Sequence, residues 1–150
     1  MFNITELLKN EISVWEQLKN SAKPVVLYGM GDGADKVLAA FDRYGIKASA
    51  VIASDDFVRG QKFHGFTVKK LSDVEAELGD VIIALCFASQ LPDVMAHITK
   101  ISEKHETLVP SVPVFGDRLF DSDFINENKE QIEGAYSLLA DDLSKEVYEN

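Results

Sequence analysis

Two short runs constrain this chain more than anything else in it. Val25-Val26-Leu27-Tyr28 and Val81-Ile82-Ile83-Ala84-Leu85-Cys86 are apolar throughout, with no alternation of polar residues. A strand with one wet face alternates; a strand buried on both faces does not, and strands of that kind belong to parallel sheets covered by helices. Between and after the runs, strand-like and helix-like segments alternate. Ala34, Val37, Leu38, Phe41 and Tyr44 recur at helical spacing up to a stop at Gly45. Ala48–Ala53 reads as a second strand and Phe66–Val68 as a short third one. Ser72 opens a helix through Leu78 and Gly79 stops it. After the run at 81–86, Ser89 caps a helix from about 90 to 104 with Pro92 in its first turn, and Thr107–Val109 is a fifth strand before Pro110 and Pro113. The expected fold is α/β and Rossmann-like: a five-stranded, mainly parallel sheet in the order 3-2-1-4-5 with helices on both faces.

Two segments lie outside that alternation. Residues 4–20 carry Ile4, Leu7, Leu8, Ile12, Trp15 and Leu18 at helical spacing, behind an Asn3/Glu6 pair that resembles a capping box, and read as one added N-terminal helix. Residues 117–150 are helical in propensity and contain no strand-like run. The reading divides the chain into a domain at 1–116 with its N-terminal helix and an acidic helical linker at 117–150. That linker runs on as a helix to Asn150 without a stop signal, so a further domain is expected beyond it.

Charge separates the same two parts. Of a net charge of −10, residues 117–150 hold 10 acids against 3 bases, and the first 116 residues hold 15 against 12. A chain with no cluster of Lys and Arg is a poor partner for nucleic acid or an anionic membrane. No apolar run approaches the ~18 residues of a membrane span. The single cysteine, Cys86, excludes an internal disulfide and a cysteine-cluster zinc site, and fits a cytoplasmic location.

The one motif with a mechanism behind it is Gly29-Met30-Gly31-Asp32-Gly33, set between the first strand and the first helix of the alternation. In that context Gly29 permits the tight turn, Gly31 lets backbone approach a ligand, and the helix N-terminus can receive an anion. Asp55 and Asp56 close the second strand, where an acid commonly holds ribose hydroxyls. Cys86 and Ser89 stand at the end of the central strand, on the rim where open sheets bind ligands. Asp32 opposes a phosphate there, because it is expected to cap the helix and fill the amides a phosphate would use. Three readings stay open for the loop: a nucleotide-type ligand, another small molecule, or a tight turn with no ligand. The spacing also matches the first motif of S-adenosylmethionine (SAM) enzymes, but Leu27 stands where an acid is normal, so direct SAM binding is not expected. No residue is assigned a catalytic or metal-binding role. Cys86 reads as a buried structural thiol, Trp15 as packing, and His97 and His105 as surface or half-buried. His64 lies in the polar loop at 57–65.

Two stretches carry a family resemblance. Lys23–Asp56, continued by Gly60 and His64-Gly65-Phe66-Thr67-Val68, resembles the small Rossmann-like domain that precedes the catalytic domain in some FkbM-type SAM-dependent methyltransferases. It is also similar to N-terminal domains of sugar-modifying enzymes of polysaccharide biosynthesis. Leu138-Leu139-Ala140-Asp141-Asp142-Leu143-Ser144-Lys145-Glu146-Val147-Tyr148 resembles the helix that joins that domain to the methyltransferase core. The resemblance implies a non-catalytic module for substrate recognition or assembly, with SAM bound by a C-terminal domain of a longer parent. The alternative from the residues is a nucleotide- or sugar-nucleotide-binding domain of a sugar-modifying enzyme or oxidoreductase. Leu139, Leu143, Val147 and Tyr148 call for a covering surface, for which a second copy of the chain, hence a homo-oligomer, is one candidate.

Overall fold

The computed structural model describes residues 1–150, which divide into two units: Val14–Val112, and Met1–Ser13 together with Pro113–Asn150. The larger unit is built on a parallel sheet. Strand β1 (Val25–Tyr28) lies at its centre, with β2 (Ala48–Ile52) on one side and β5 (Ile82–Leu85) on the other; β6 (Thr107–Leu108) lies beyond β5. The pairings are parallel, with Val26 opposite Ala50 and Ile83, and Ile83 opposite Thr107. Both apolar runs occupy the two central strands, and every residue of β1 and β5 is buried.

The third expected strand is the one departure in the sheet. Phe66–Thr67 (β4) pairs antiparallel with Lys62–Phe63 (β3) as a small separate hairpin. The chain then reaches the edge of β2 only at Lys69, whose N–H donates to the Val51 carbonyl and whose carbonyl accepts from Ala53. Its place in the order is the expected one, but four strands form the sheet. The local reason is the His64-Gly65 turn, with φ of 45° and 84°, which folds the segment back on itself two residues from Phe66.

Helices α4 (Leu71–Leu78) and α5 (Pro92–Lys104) cover one face, where Val74 and Ile101 join Val26, Tyr28, Ile52, Val81, Ile83 and Leu85 in a single cluster. The alternate residues of the strands turn to the other face. Helix α3 (Asp32–Tyr44) brings Ala34, Val37, Ala40 and Phe41 into the core, and α2 (Val14–Lys19) brings Trp15 and Leu18. Trp15 stacks on Tyr44 at 5.5 Å and meets Phe41 edge-on at 6.5 Å. Burial of side chains of this size supplies about 2–3 kcal/mol each.

The single N-terminal helix expected over 4–20 is two helices. Helix α1 (Ile4–Leu8) is capped by Asn3, which accepts from the Glu6 N–H, and a turn at Lys9-Asn10 separates it from α2. Ser13, a residue type that favours helix starts, precedes the second segment. Only Trp15 and Leu18 of the six spaced apolar residues are buried core.

The smaller unit is helical. Helices α6 (Ser122–Glu127) and α8 (Asp142–Glu149) start at Asp121 and Asp141, whose carboxylates accept from Phe124 and Ser144 N–H; α7 (Lys129–Ser137) follows α6 directly. Within this unit Phe2 stacks on Tyr136 at 4.2 Å, and Ile4 donates to Glu133. Phe120, Leu138, Leu143 and Val147 are exposed. No helix in the chain is long and apolar enough to cross a membrane.

His105 departs most from its expected setting. It caps the C-terminus of α5, is only 4% exposed, and stands between two carboxylates: Nε2 at 2.6 Å from Glu75 and Nδ1 at 3.3 Å from Asp80. Lys104 adds a contact to Glu75 at 2.8 Å and Lys23 one to Asp80 at 3.0 Å. Hydrogen bonds from His105 and then Lys104 hold the Glu75 carboxyl below its usual value, and those from Lys23 and then His105 do the same for Asp80. A carboxylate with a lowered pKa stabilises the fold above its unfolded value, and the contribution disappears as pH falls through the folded value. The urea midpoint is therefore expected to drop as pH is lowered from about 6 to about 3. In His105→Gln the midpoint at pH 6 is lower and the drop smaller. Equal pH slopes in the two proteins would refute the assignment.

Candidate functional site

Sheet order places the site. From β1 the chain crosses to β2 on one side and later returns to β5 on the other, so the order of strands reverses between β1 and β5. At such a switch point the loops leaving the C-terminal ends of the strands diverge and leave a crevice. A cavity of about 750 Å³ lies there, lined by the glycine loop, the segments after β2 and β5, and Val109–Val112 after β6. That is room for a ligand of nucleotide or drug size.

The loop is held by backbone hydrogen bonds. Gly29 N–H donates to the Ile52 carbonyl at 3.0 Å, and Cys86 N–H to the Tyr28 carbonyl at 2.9 Å. Gly29 sits at φ 130°, a conformation that residues with a side chain rarely adopt. Gly33 answers a different need. A Cβ there would lie 2.0 Å from the Cys86 carbonyl oxygen, so α3 touches the end of β5 only because this position has no side chain. Around Gly31, by contrast, a Cβ would meet nothing within 4 Å. Of the three glycines, one makes the turn, one the helix–strand contact, and one leaves space.

Asp32 does not cap the helix as expected. Gly31 is the N-cap residue and offers no side chain. Asp32 occupies the first helical position, its side chain 81% exposed and paired with Lys36 at 3.0 Å. Its carboxylate is turned to solvent and balanced by a lysine, so it leaves the first-turn amides without a side-chain partner.

Gly29, Gly31, Asp32, Gly33, Cys86 and Ser89 all line the cavity. Asp55 and Asp56 do not. They form a 3-10 turn with Phe57 and are exposed, and Ser54 and Phe57 on either side line the cavity instead. Ser54 shares a 2.7 Å hydrogen bond with the hydroxyl of buried Tyr28. Ser89 accepts from the Leu91 N–H at 3.2 Å, but α5 starts at Pro92 behind Leu91, so Ser89 shapes the loop and is not the helix cap. His64 is outside the cavity and meets Asp35 of α3 at 2.6 Å, both side chains exposed. Residues that sequence reasoning missed include Ser54, Phe57, Val94 and Val109–Val112. Phe57, a large apolar residue opening a polar loop, was the one legible signal.

Cys86 is 6% exposed and its Sγ points to the Ala84 carbonyl at 3.2 Å. Burial pushes the thiol up to about 12, so no thiolate forms near neutral pH. No group of three or more His, Cys, Asp or Glu side chains is placed to hold a metal ion.

No protein-family model matches the chain, and no curated protein matches it. Among solved structures, the chain is similar to RSP in complex with beta-NADH, at 16% identity and a TM-score of 0.42, over 91% of this chain and 69% of that one. It is similar also to RSP described as a Rex-family repressor, at 16% identity and a TM-score of 0.43, over 91% and 68%.

Two outcomes check the geometry. Gly33→Ala must push α3 off the end of β5 and is expected to cost roughly 3 kcal/mol, read as a fall in Tm of about 10 °C. Cys86 in the folded protein is expected to react with an aromatic disulfide reagent at pH 8 at least ~100-fold more slowly than in urea. A rate near that of the unfolded chain would show the thiol to be accessible.

Proposed function

We propose that residues 14–112 form a ligand-binding Rossmann-like module whose cavity takes a nucleotide-type small molecule. The observation that carries the reading is the start of α3. Its first turn has no side-chain cap, it opens on the cavity through Gly31, and it lies where the strand order reverses. Backbone N–H groups at such a terminus favour an anionic group such as a phosphate. The remaining lining is mainly apolar and suits the uncharged body of a nucleotide. The proposed role is recognition.

The second stretch of resemblance supports an assignment for the parent. Leu138–Tyr148 contains α8, started by Asp141, as the joining helix of FkbM-type methyltransferases would require. On this reading the chain is a recognition or assembly module of such an enzyme, and SAM binds to another part of the parent. Leu27, apolar and fully buried in β1, takes the position where a SAM site would carry an acid.

A thermal-shift and calorimetric screen of nucleotides, sugar nucleotides and SAM tests both statements. A nucleotide present at about 100 times its Kd stabilises the fold by ~2.7 kcal/mol, a rise in Tm of several degrees. Gly31→Val is expected to fold with a Tm a few degrees lower, because a Cβ there meets nothing within 4 Å and the cost is that of valine at an N-cap, and to lose that rise. A hit that survives Gly31→Val places the ligand elsewhere, and micromolar binding of SAM to this chain overturns the parent assignment.

A further inference from the structure

We infer that Met30 and Phe57 form a clamp for a flat, uncharged aromatic ring, with Gln61 holding the two jaws at their spacing. The inference rests on the ligand reading above and names the part of the ligand that the cavity recognises. Met30 belongs to the glycine loop and Phe57 to the 3-10 turn after β2, and both line the cavity. Phe57 is 60% exposed, although it stands at the edge of an apolar space. A large aromatic side chain left open beside a cavity gains contact area only when something flat is laid on it.

Gln61 connects the two. Its Nε2 donates to the Phe57 carbonyl at 2.7 Å and lies 3.2 Å from Met30 Sδ, while its Oε1 accepts from the Arg59 N–H at 2.7 Å. Its own carbonyl accepts from Val68 N–H at 2.9 Å, and Val68 is buried. One residue, its main chain tied to the core, thus joins the Met30 thioether and the backbone of Phe57 on the same rim. Thioether and ring are the two side-chain types that best match the face of a heterocycle. The charge pattern agrees. Asp32 is the single charged residue of the lining, and it is turned to solvent on Lys36. A charged ring would find no counter-charge here, whereas a neutral base would lose little solvation on entering.

Ethenoadenosine, whose fluorescence is quenched on stacking, and ribose 5-phosphate, which has no ring to clamp, separate this inference from the reading it rests on. The intact chain is expected to bind ethenoadenosine with quenching. Phe57→Ala weakens it about tenfold, Phe57→Trp retains it, and Gln61→Met weakens it a few-fold. Ribose 5-phosphate binds all four proteins alike. The exposure of Phe57 keeps its variants folded, which circular dichroism verifies. Ethenoadenosine affinity unchanged in Phe57→Ala overturns the clamp and leaves the nucleotide reading standing. So does an intact chain that binds ribose 5-phosphate but not ethenoadenosine. Failure of both compounds to bind the intact chain at millimolar concentration overturns the reading and the clamp together.

Discussion

Helix α3 meets the end of β5 at backbone distance, and the larger unit is arranged around that contact. Gly33 lies so near the Cys86 carbonyl that no side chain fits between them. The approach sets the position of the first turn of α3, and with it the direction in which the glycine loop leaves β1. The Cys86 N–H to Tyr28 carbonyl bond and the Gly29 N–H to Ile52 carbonyl bond tie the same loop to both neighbouring strands. Three strand ends are thereby fixed around one point, and the cavity is the space left between them. Packed backbone of this kind has no soft direction, because interiors are dense and side chains have no room to yield.

The chemistry of the cavity follows from what the contact leaves out. Cys86 is used by its backbone, and its thiol is buried and turned to a carbonyl, so the one nucleophilic sulfur in the chain is withdrawn from reaction. Asp32 faces solvent. What remains in the cavity is backbone N–H, a few hydroxyls and apolar side chains. The titratable cluster of the fold, His105 with Glu75 and Asp80, serves a different purpose. It joins α4, the end of α5 and the turn before β5, and its strength varies with pH because Glu75, held by His105 and Lys104, and Asp80, held by Lys23 and His105, lose these bonds when protonated.

The sequence by itself determined the parts of this protein that depend on local pattern. Two apolar runs without alternation require a parallel sheet covered on both faces, and β1 and β5 are its centre. The glycine run required a strand–turn–helix, and the rim from Gly29 to Gly33 and from Cys86 to Ser89 follows from strand order. Tertiary structure decided what depends on distance between remote residues. Whether Asp32 caps its helix turns on where the helix starts: with Gly31 at the N-cap, Asp32 is already helical and its carboxylate pairs with Lys36. Whether residues 66–68 join the sheet or fold into a hairpin turns on competition between two pairings of similar length. Asp55 and Asp56 follow the right strand end but do not line the cavity, and Ser54 and Phe57 do, because a 3-10 turn brings residues three apart to the same side. His105 is buried only because Glu75 and Asp80, 30 and 25 residues earlier, arrive beside it. Periodicity records which face of an element is apolar. It does not record which polar partner waits there, and a buried polar group is tolerated only when that partner is in place.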